Sequence, residues 1–372
     1  MMTCVLFGRG EWTKMNQYDE QSPVGRGTGL NHVGRFESKE FEPDWSQMEF
    51  DDEFRHQVRR PRTRYFEDVS RSVISENNSP DIPFRYSLNP YRGCLHGCSY
   101  CYARPSHEYL GLSAGLDFET KIFVKKNSPD LFRKWLCRRR YEPCPVMMSG
   151  ITDCYQPVER VLRITRGCLH VAAQANQPIS VITKNAMVHR DLDIMTPMAA
   201  RNLIHVALSI STLDQNLSKF LEPATSAPTA RLHAVKQLSD GGIPVHVMVA
   251  PVIPGLNDSE IPAILEAAAG AGAHSSSHIL LRLPHSVKDI FADWLRRRKP
   301  DHAQKVLSRL ASTRQGKLND TKFGRRMRGT GPMAEQIASL FEVSARRVQI
   351  ARQLPALATE HFRAPDGQGR LF

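Results

Sequence analysis

Between residues 84 and 284, short apolar runs alternate with amphipathic stretches. The apolar runs predict six strands, at residues 86–90, 146–151, 180–183, 204–211, 245–252 and 278–283. The stretches between them have helical periodicity near residues 129–140, 158–176, 191–201, 228–240 and 259–272. Strands that alternate with helices are typical of a parallel sheet, so we predict an α/β fold, an open partial (β/α)6 barrel of the TIM type. A closed eight-stranded barrel fits less well, because the strand signals stop after Leu283.

The two ends of the chain differ from the predicted barrel, which spans residues 81–284. Residues 1–80 are polar and rich in turn-forming residues, which predicts an irregular, partly disordered N-terminal segment. Residues 285–372 are basic and helical in pattern, which predicts a helical C-terminal extension. Within it, residues 335–348 superficially match a helix-turn-helix, and an amphipathic helix pair packed on the barrel would have the same pattern.

The composition is that of a soluble globular protein, with 372 residues that are 41% hydrophobic and 24% charged. No apolar stretch approaches the roughly 20 residues that a membrane-spanning helix needs, so we expect no membrane partner. The apolar run at the start is too short for a signal peptide. With 8 cysteines in the whole chain, we expect reduced thiols and a cytoplasmic location.

The chain is basic, with a net charge of +12 and a pI of about 9.4. Much of the positive charge lies in three runs, at residues 138–140, 296–299 and 325–328. Such runs can bind phosphates, and they also occur at solvated helix ends, where cations are favoured. Nucleic acid is therefore a candidate partner through the basic C-terminal runs. Residues 25–36 also contain arginines that could clamp an anion, but no strand precedes them, so they are not a dinucleotide-binding fingerprint.

The strongest chemical signal is the set of Cys94, Cys98 and Cys101, with the spacing C-x3-C-x2-C. Three thiolates on one short loop can hold three irons of a [4Fe–4S] cluster, which leaves the fourth iron open to a small molecule. Gly93 and Gly97 let the backbone turn tightly around the inorganic core. Because an open iron is reactive, the loop indicates an enzyme.

Other uses of the cysteines fit less well. Structural zinc, with His96 as a fourth ligand, usually takes two C-x2-C-like halves, and the sequence has no second half. A disulfide framework does not fit a chain without a secretory signal. A second cluster could use Cys137, Cys144, Cys154 and Cys168, although these residues straddle a predicted helix and strand and need not converge.

The loop resembles the signature of the radical S-adenosylmethionine (SAM) superfamily, C-x3-C-x-aromatic-C, with Tyr100 as the aromatic residue. Residues 89–105 look like the branch that includes spore photoproduct lyase and its uncharacterised bacterial relatives, and residues 25–36 look like one of those subfamilies. The resemblance covers roughly residues 24–345. It implies a [4Fe–4S] cluster and SAM as cofactors, and an electron donor of the flavodoxin or ferredoxin type.

The resemblance also implies a lyase-like or oxidoreductase-like radical reaction. An electron from the cluster cleaves SAM to methionine and a 5′-deoxyadenosyl radical, which abstracts a hydrogen atom from a substrate. That substrate could be a nucleic-acid base, a peptide or a small anion. A function of another class stays open, namely an iron–sulfur or zinc module that binds nucleic acid without radical chemistry.

The same resemblance assigns SAM contacts to residues at the strand ends. After the second predicted strand, Thr152 and Asp153 take the place of the residues that contact the methionine amine. Many superfamily members have Gly-Gly-Glu there, and this chain does not. After the third strand, Lys184 takes the place of a lysine that holds the methionine carboxylate.

Further SAM contacts are implied on the next strands and beside the cysteines. Ser209 and Ser211 point to one face of the fourth strand and could bond the ribose or the carboxylate. Residues 249–258 predict an apolar wall for adenine. Tyr100 is expected beside the adenine, and Tyr102 could contact SAM.

Spore photoproduct lyase returns a hydrogen atom to its product from a cysteine in the loop after the second strand. Aligned on the Thr-Asp pair, the matching residue here is Gly150, which argues against simple transfer of that repair reaction. Cys154, four residues later, could be a displaced hydrogen donor or an ordinary buried cysteine.

Overall fold

The computed structural model describes residues 25–31, 34–36 and 62–365. The strands in this part of the chain are β1 (Arg64–Glu67), β2 (Ile74–Glu76), β3 (Tyr86–Leu88), β4 (Tyr91–Arg92), β5 (Lys121–Val124), β6 (Val146–Met148), β7 (Ile179–Thr183), β8 (Ile204–Ser209), β9 (Val245–Val252) and β10 (Ser275–Leu280). The α-helices are α1 (Leu116–Thr120), α2 (Ser128–Leu136), α3 (Glu159–Leu162), α4 (Ile164–Ala175), α5 (Leu192–Ala199), α6 (Gln215–Leu221), α7 (Pro228–Asp240), α8 (Ile261–Gly270), α9 (Val287–Arg298), α10 (Pro300–Ser312) and α11 (Pro332–Arg347). Short 3-10 helices lie at Arg104–Leu110, Ala186–Asp191 and Asp258–Glu260.

The main sheet has seven strands in the order β10-β9-β8-β7-β6-β3-β2. The strands from β3 to β10 in this sheet are parallel to their neighbours, and β2 is antiparallel to β3 at one edge. A smaller sheet has the order β1-β5-β4. The predicted α/β fold with an open partial barrel is confirmed.

Alternation along the parallel strands separates the two sides of the main sheet. Val181 and Val247 are fully buried in the main core, which also contains side chains of α4 and α5. His205 and His246 lie on the opposite face and are half-buried. The carboxyl ends of the parallel strands share one rim, which is where β/α barrels carry their sites.

Two predicted elements differ from those in the structure. The helix expected at residues 158–176 is divided into α3 and α4 by Arg163, whose φ of 51° lies in the left-handed region. The last strand begins earlier than expected, at Ser275, which is buried and pairs with His246 of β9. Three consecutive serines at the start of β10 hid the apolar pattern of a strand.

The chain after β10 is largely helical. α11 is one continuous helix of 16 residues, so residues 335–348 do not form a helix-turn-helix. Its buried side chains include Ile337 and Phe341, and the helix packs on α8 and β10. Phe291 and Trp294 of α9 belong to a second apolar core, against the loop that follows β4. In the described residues, no helix is long and apolar enough to span a bilayer.

Candidate active site

The three cysteines lie on a tight loop between β4 and the 3-10 helix that follows it. Gly93 and Gly97 have φ angles of 78° and 65°, which glycine adopts without steric cost. Cys94 and Cys98 are buried and Cys101 is half-buried. The loop therefore presents three thiols within a few residues at the edge of the second apolar core.

Arg104 fixes this loop from the inside. Its Nε donates to the carbonyl oxygen of Cys98 at 2.9 Å, and its Nη2 donates to that of Gly97 at 3.0 Å. The guanidinium is fully buried and pairs at 2.9 Å with Glu119, which is fully buried too. Because a satisfied buried polar network is rigid, the conformation of the loop is set by the protein itself.

The loop fits an iron–sulfur cluster better than a single metal ion. Across residues 25–31, 34–36 and 62–365, no three His, Cys, Asp or Glu side chains are grouped to hold one ion, as structural zinc requires. Cluster thiolates need not meet at a single ion, because each binds a different iron of the cluster. Burial raises the pKa of all three thiols, so a thiolate here needs a positive partner such as iron.

Glu222, at the end of α6, organises the side chains beside the cysteines. Its carboxylate accepts hydrogen bonds from the phenol of Tyr100, from the Ser211 hydroxyl at 2.8 Å and from Arg231 Nη2 at 2.5 Å. Lys184 Nζ lies 3.7 Å away. Burial acts to raise the pKa of Glu222, but Arg231 and Lys184 outweigh it and lower the pKa to about 2. Glu222 is therefore a buried anion that joins three side chains expected from the sequence to bind SAM.

Lys184 and Asp153 meet at the ends of β6 and β7. Lys184 Nζ donates to the carbonyl oxygen of Ala250 at 3.1 Å, and its backbone N–H donates to Asp153 at 2.8 Å. Asp153 also accepts from the Thr183 hydroxyl at 2.8 Å and lies 3.4 Å from His96 Nδ1 on the cysteine loop. Asp153 thus links the cysteine loop to the end of β7.

The remaining residues expected at the site lie around this centre. The Thr152 hydroxyl donates to the carbonyl oxygen of Tyr91 at 2.8 Å, just before the cysteine loop. Ser209 is buried at the end of β8, and its carbonyl oxygen accepts from Arg231 at 2.8 Å. Tyr102 is half-exposed, and its hydroxyl donates to the carbonyl oxygen of Gly150 at 3.0 Å. Of the described residues expected at the site, only three have side chains that contact the carboxylate of Glu222. They are Tyr100, Lys184 and Ser211.

A family model of the radical SAM superfamily matches residues 88–268. The chain belongs to the radical SAM superfamily. An uncharacterised protein of Mycobacterium tuberculosis strain H37Rv is 37% identical over 240 residues, which is 64% of this chain and 71% of the relative. An uncharacterised protein of Methanocaldococcus jannaschii is 31% identical over 184 residues, 49% of this chain and 66% of the relative.

Solved structures of spore photoproduct lyase have a similar fold. The lyase complexed with dinucleoside spore photoproduct matches 76% of this chain and 79% of its own, with a TM-score of 0.54 and 16% identity. Membership of the radical SAM superfamily confirms that the chain is an enzyme and that its cofactors are a [4Fe–4S] cluster and SAM. Radical SAM enzymes also need a reductant.

The loop after β6 in this radical SAM protein has no room for a side chain at residue 150. A Cβ built on Gly150 would lie 2.5 Å from the Cβ of Ser87. Cys154 is fully buried in the main core, and its backbone N–H donates to the Ser149 hydroxyl oxygen at 2.8 Å. Whether Cys154 donates hydrogen stays a prediction.

Residues 25–31 lie against the cysteine loop and residues 34–36 against the 3-10 helix that follows it, a placement that the sequence pattern did not indicate. The backbone N–H of Arg26 donates to Glu119 at 2.5 Å, and that of Gly27 donates to the same carboxylate at 3.2 Å. Arg35 pairs with Glu108, which is buried. The Arg35 guanidinium thus binds a carboxylate of this radical SAM protein, and the Arg26 guanidinium donates to the carbonyl oxygen of Glu119 at 2.8 Å and to the Thr63 hydroxyl at 2.6 Å. The sequence had left open a clamp on an external anion.

The three basic runs lie in different places. Residues 138–140 follow α2 and lie near Arg85, before β3 and away from the cysteine loop. Residues 296–299 are at the end of α9. The run at residues 325–328 lies against Asp81 and the carboxyl end of β10. This last run is at the rim that carries the cysteine loop, and Arg297 of the second run lies against Gly29.

Proposed function

We propose that Cys94, Cys98 and Cys101 hold the [4Fe–4S] cluster and leave one iron for SAM. The supporting observation is the position of the thiol loop, which Arg104 fixes beside Lys184 at the rim of a parallel barrel. When bound and reduced, the cluster supplies the electron that cleaves SAM to methionine and a 5′-deoxyadenosyl radical. The chain's own residues bind and orient the cofactor.

Five polar residues at the strand ends are proposed to bind SAM. Lys184 would bind the methionine carboxylate, since its ammonium is only partly neutralised by Glu222 at 3.7 Å. Thr152 and Asp153 lie between the cysteine loop and β7, where the methionine amine would lie. Ser209 or Ser211, at the same strand end, would bond the ribose or the carboxylate.

Two tyrosines complete the proposed SAM site. Tyr100 is held by Glu222 and would lie beside the adenine. Tyr102 is half-exposed at the rim and would face SAM on its open side. On the other side, Cys98 and Tyr100 belong to an apolar core with Leu281 and Phe291, which keeps water from the loop.

Nucleic acid is the substrate class that we propose, in a reaction of lyase or oxidoreductase type. The net charge of +12 and the basic run at residues 325–328 on the rim support it. A cytoplasmic electron donor of the flavodoxin or ferredoxin type would supply the electron.

Anaerobic reconstitution with iron and sulfide, followed by dithionite and SAM, tests the proposal. We expect 5′-deoxyadenosine from the parent protein and none from Cys98→Ala, because one cluster ligand is lost. Cys137→Ala, a half-buried cysteine outside the loop, is the matched control and should keep the activity. Unchanged turnover in Cys98→Ala would refute the ligand assignment. An intact cluster that forms no 5′-deoxyadenosine would favour a binding module without radical chemistry.

A further inference from the structure

Arg282 lies just after the carboxyl end of β10, and its guanidinium has few hydrogen-bond partners among the described residues. Its Nη1 is 3.5 Å from the sulfur of Met327, and its Nε is buried and finds no hydrogen-bond partner among the described residues. No carboxylate of the described chain lies within ion-pair distance of it. A half-buried guanidinium that lacks an anion is costly unless a ligand supplies one.

Two further arginines lie close to Arg282 and add to the positive charge. Arg314 is buried and donates to backbone carbonyl oxygens, including Leu281 at 2.7 Å, so its charge is not cancelled by that contact. Arg326 pairs with Asp81 at 2.6 Å. The three guanidinium groups lie near two carboxylates, because Asp320 also interacts with Arg314, and the excess charge is positive.

The surroundings of Arg282 contain exposed aromatic rings. Its guanidinium carbon lies 5.9 Å from the ring centre of Tyr102, which is 51% exposed. Phe323 is 58% exposed, and the guanidinium carbon of Arg326 lies 4.7 Å from its ring centre. Basic groups interleaved with exposed aromatic rings are typical of sites for single-stranded nucleic acid, where phosphates meet cations and bases stack on rings.

The segment around Phe323 is basic as a whole. Residues 317–328 contain five cationic side chains and one acidic one, which are Lys317, Lys322, Arg325, Arg326, Arg328 and Asp320. Asp320 pairs with Arg325 at 3.1 Å. An acidic peptide could also bind a basic surface, but the two exposed rings favour a ligand that carries both phosphates and flat bases.

We propose that Arg282 binds a backbone phosphate of a single-stranded nucleic-acid substrate at the rim, next to Tyr102 and the cysteine loop. The site rests on the proposed function, because it anchors the substrate beside the place where the radical would form. The base next to that phosphate would then stack against Phe323. Arg282 acts as a positioning residue, and its contact carries no sequence preference.

The test is fluorescence anisotropy of a labelled, mixed-sequence single strand of about 12 nucleotides, within the range that such sites cover. The protein is the anaerobically reconstituted full chain. Arg282→Gln should bind about tenfold more weakly at roughly 50 mM salt and should reduce the slope of log affinity against log salt by about 0.7. Arg282→Lys keeps the charge and should recover most of the affinity. Arg140→Gln, an exposed arginine beyond α2, removes the same charge elsewhere and should bind nearly as the parent does.

Several outcomes would overturn the site. They are equal binding by Arg282→Gln and the parent, an equal loss in Arg140→Gln, and binding of a polyglutamate peptide but not of the oligonucleotide. Formation of 5′-deoxyadenosine by the parent protein without oligonucleotide is measured separately. If the parent protein forms no 5′-deoxyadenosine, the proposed function is wrong whatever the anisotropy shows. If 5′-deoxyadenosine forms and Arg282→Gln binds the oligonucleotide normally, only the phosphate-binding role of Arg282 is wrong.

Discussion

Two fully buried glutamates of this protein have opposite electrostatic environments. Glu159 accepts from the Tyr91 phenol at 2.7 Å and from the Thr165 N–H at 2.7 Å, and burial raises its pKa. Burial also acts to raise the pKa of Glu222, yet Arg231 and Lys184 lower it to about 2. At neutral pH, Glu222 is therefore the more strongly stabilised anion, and it lies beside the proposed SAM site.

Replacing Glu222 with Gln should destabilise the protein by about 3–5 kcal/mol, because Arg231 would be left as a buried charge without its partner. The lowered pKa means that Glu222 stabilises the fold above its ordinary pKa of 4.5 and loses this effect as the pH falls towards about 2. The loss in free energy of unfolding should therefore be full at pH 7 and smaller in acid. Urea unfolding of Glu222→Gln and of Glu159→Gln measures this loss. An equal loss in both variants that does not change with pH would contradict the prediction.

At the residue scale, the sequence indicates those candidate site residues that stand out by their spacing or by their place at a strand end. The C-x3-C-x2-C spacing indicated the thiol loop, and the family resemblance pointed to Lys184 and Ser211 at strand ends, which the structure places beside Glu222. Their contacts with SAM stay a prediction. Glu222 and Arg231 could not be found in this way. Each lies on or next to a helix, and only their joint burial against Tyr100 and Lys184 distinguishes them from surface charges.

At the scale of elements, residues 25–31 form a cover on the cysteine loop that depends on the absence of side chains. A Cβ built on Gly27 would overlap the carbonyl oxygen of Gly97, and one built on Gly97 would lie 2.9 Å from the Cβ of Arg26. The cover is also tied to the buried carboxylate of Glu119, which Arg104 shares. Displacing the cover would expose the back of the loop to water and oxygen.

Gly27→Ala should push the cover away from the cysteine loop, with an overpacking cost of about 1–3 kcal/mol. We expect less iron retained per chain after reconstitution and faster bleaching of the cluster's visible absorbance in air. Gly270→Ala is the matched control, because a Cβ there meets nothing within 4 Å and the residue ends α8. Iron content and bleaching that match those of Gly270→Ala would show that the cover does not protect the loop.

Strands were easiest to predict where their buried positions carry valine, isoleucine and leucine, as in β7, β8 and β9. All six strands of the parallel sheet were found, although the serines at the start of β10 hid its first residues. β2 escaped prediction, because it is a three-residue edge strand of mostly exposed residues. The break at Arg163 also escaped, because the left-handed region is unusual for a residue other than glycine.

At the scale of the whole molecule, the two edges of the open barrel are joined by side chains from distant parts of the chain. Asp81, which precedes β3, accepts from the Gly324 N–H at 2.6 Å and from Arg326 Nε at 2.6 Å. Arg326 also donates to the hydroxyl of Ser79. Meanwhile Leu280, at the end of β10, donates to the carbonyl oxygen of Met327. Alternation of strands and helices predicts the sheet but not this closure, which rests on single contacts between loops.

Asp81→Ala should release residues 322–328 from the edge of the barrel, because it removes the carboxylate that holds both Gly324 and Arg326. We expect several-fold faster trypsin cleavage after the basic residues of this segment and faster amide hydrogen exchange there, with β7 to β9 unchanged. Glu76→Ala is the matched control, since its ion pair with Arg85 is exposed on both sides and such pairs contribute little. Cleavage and exchange in Asp81→Ala that match Glu76→Ala would mean that the backbone contact of Met327 suffices to hold the segment. The closure would then be a property of the strand edge and would not depend on the buried ion pair.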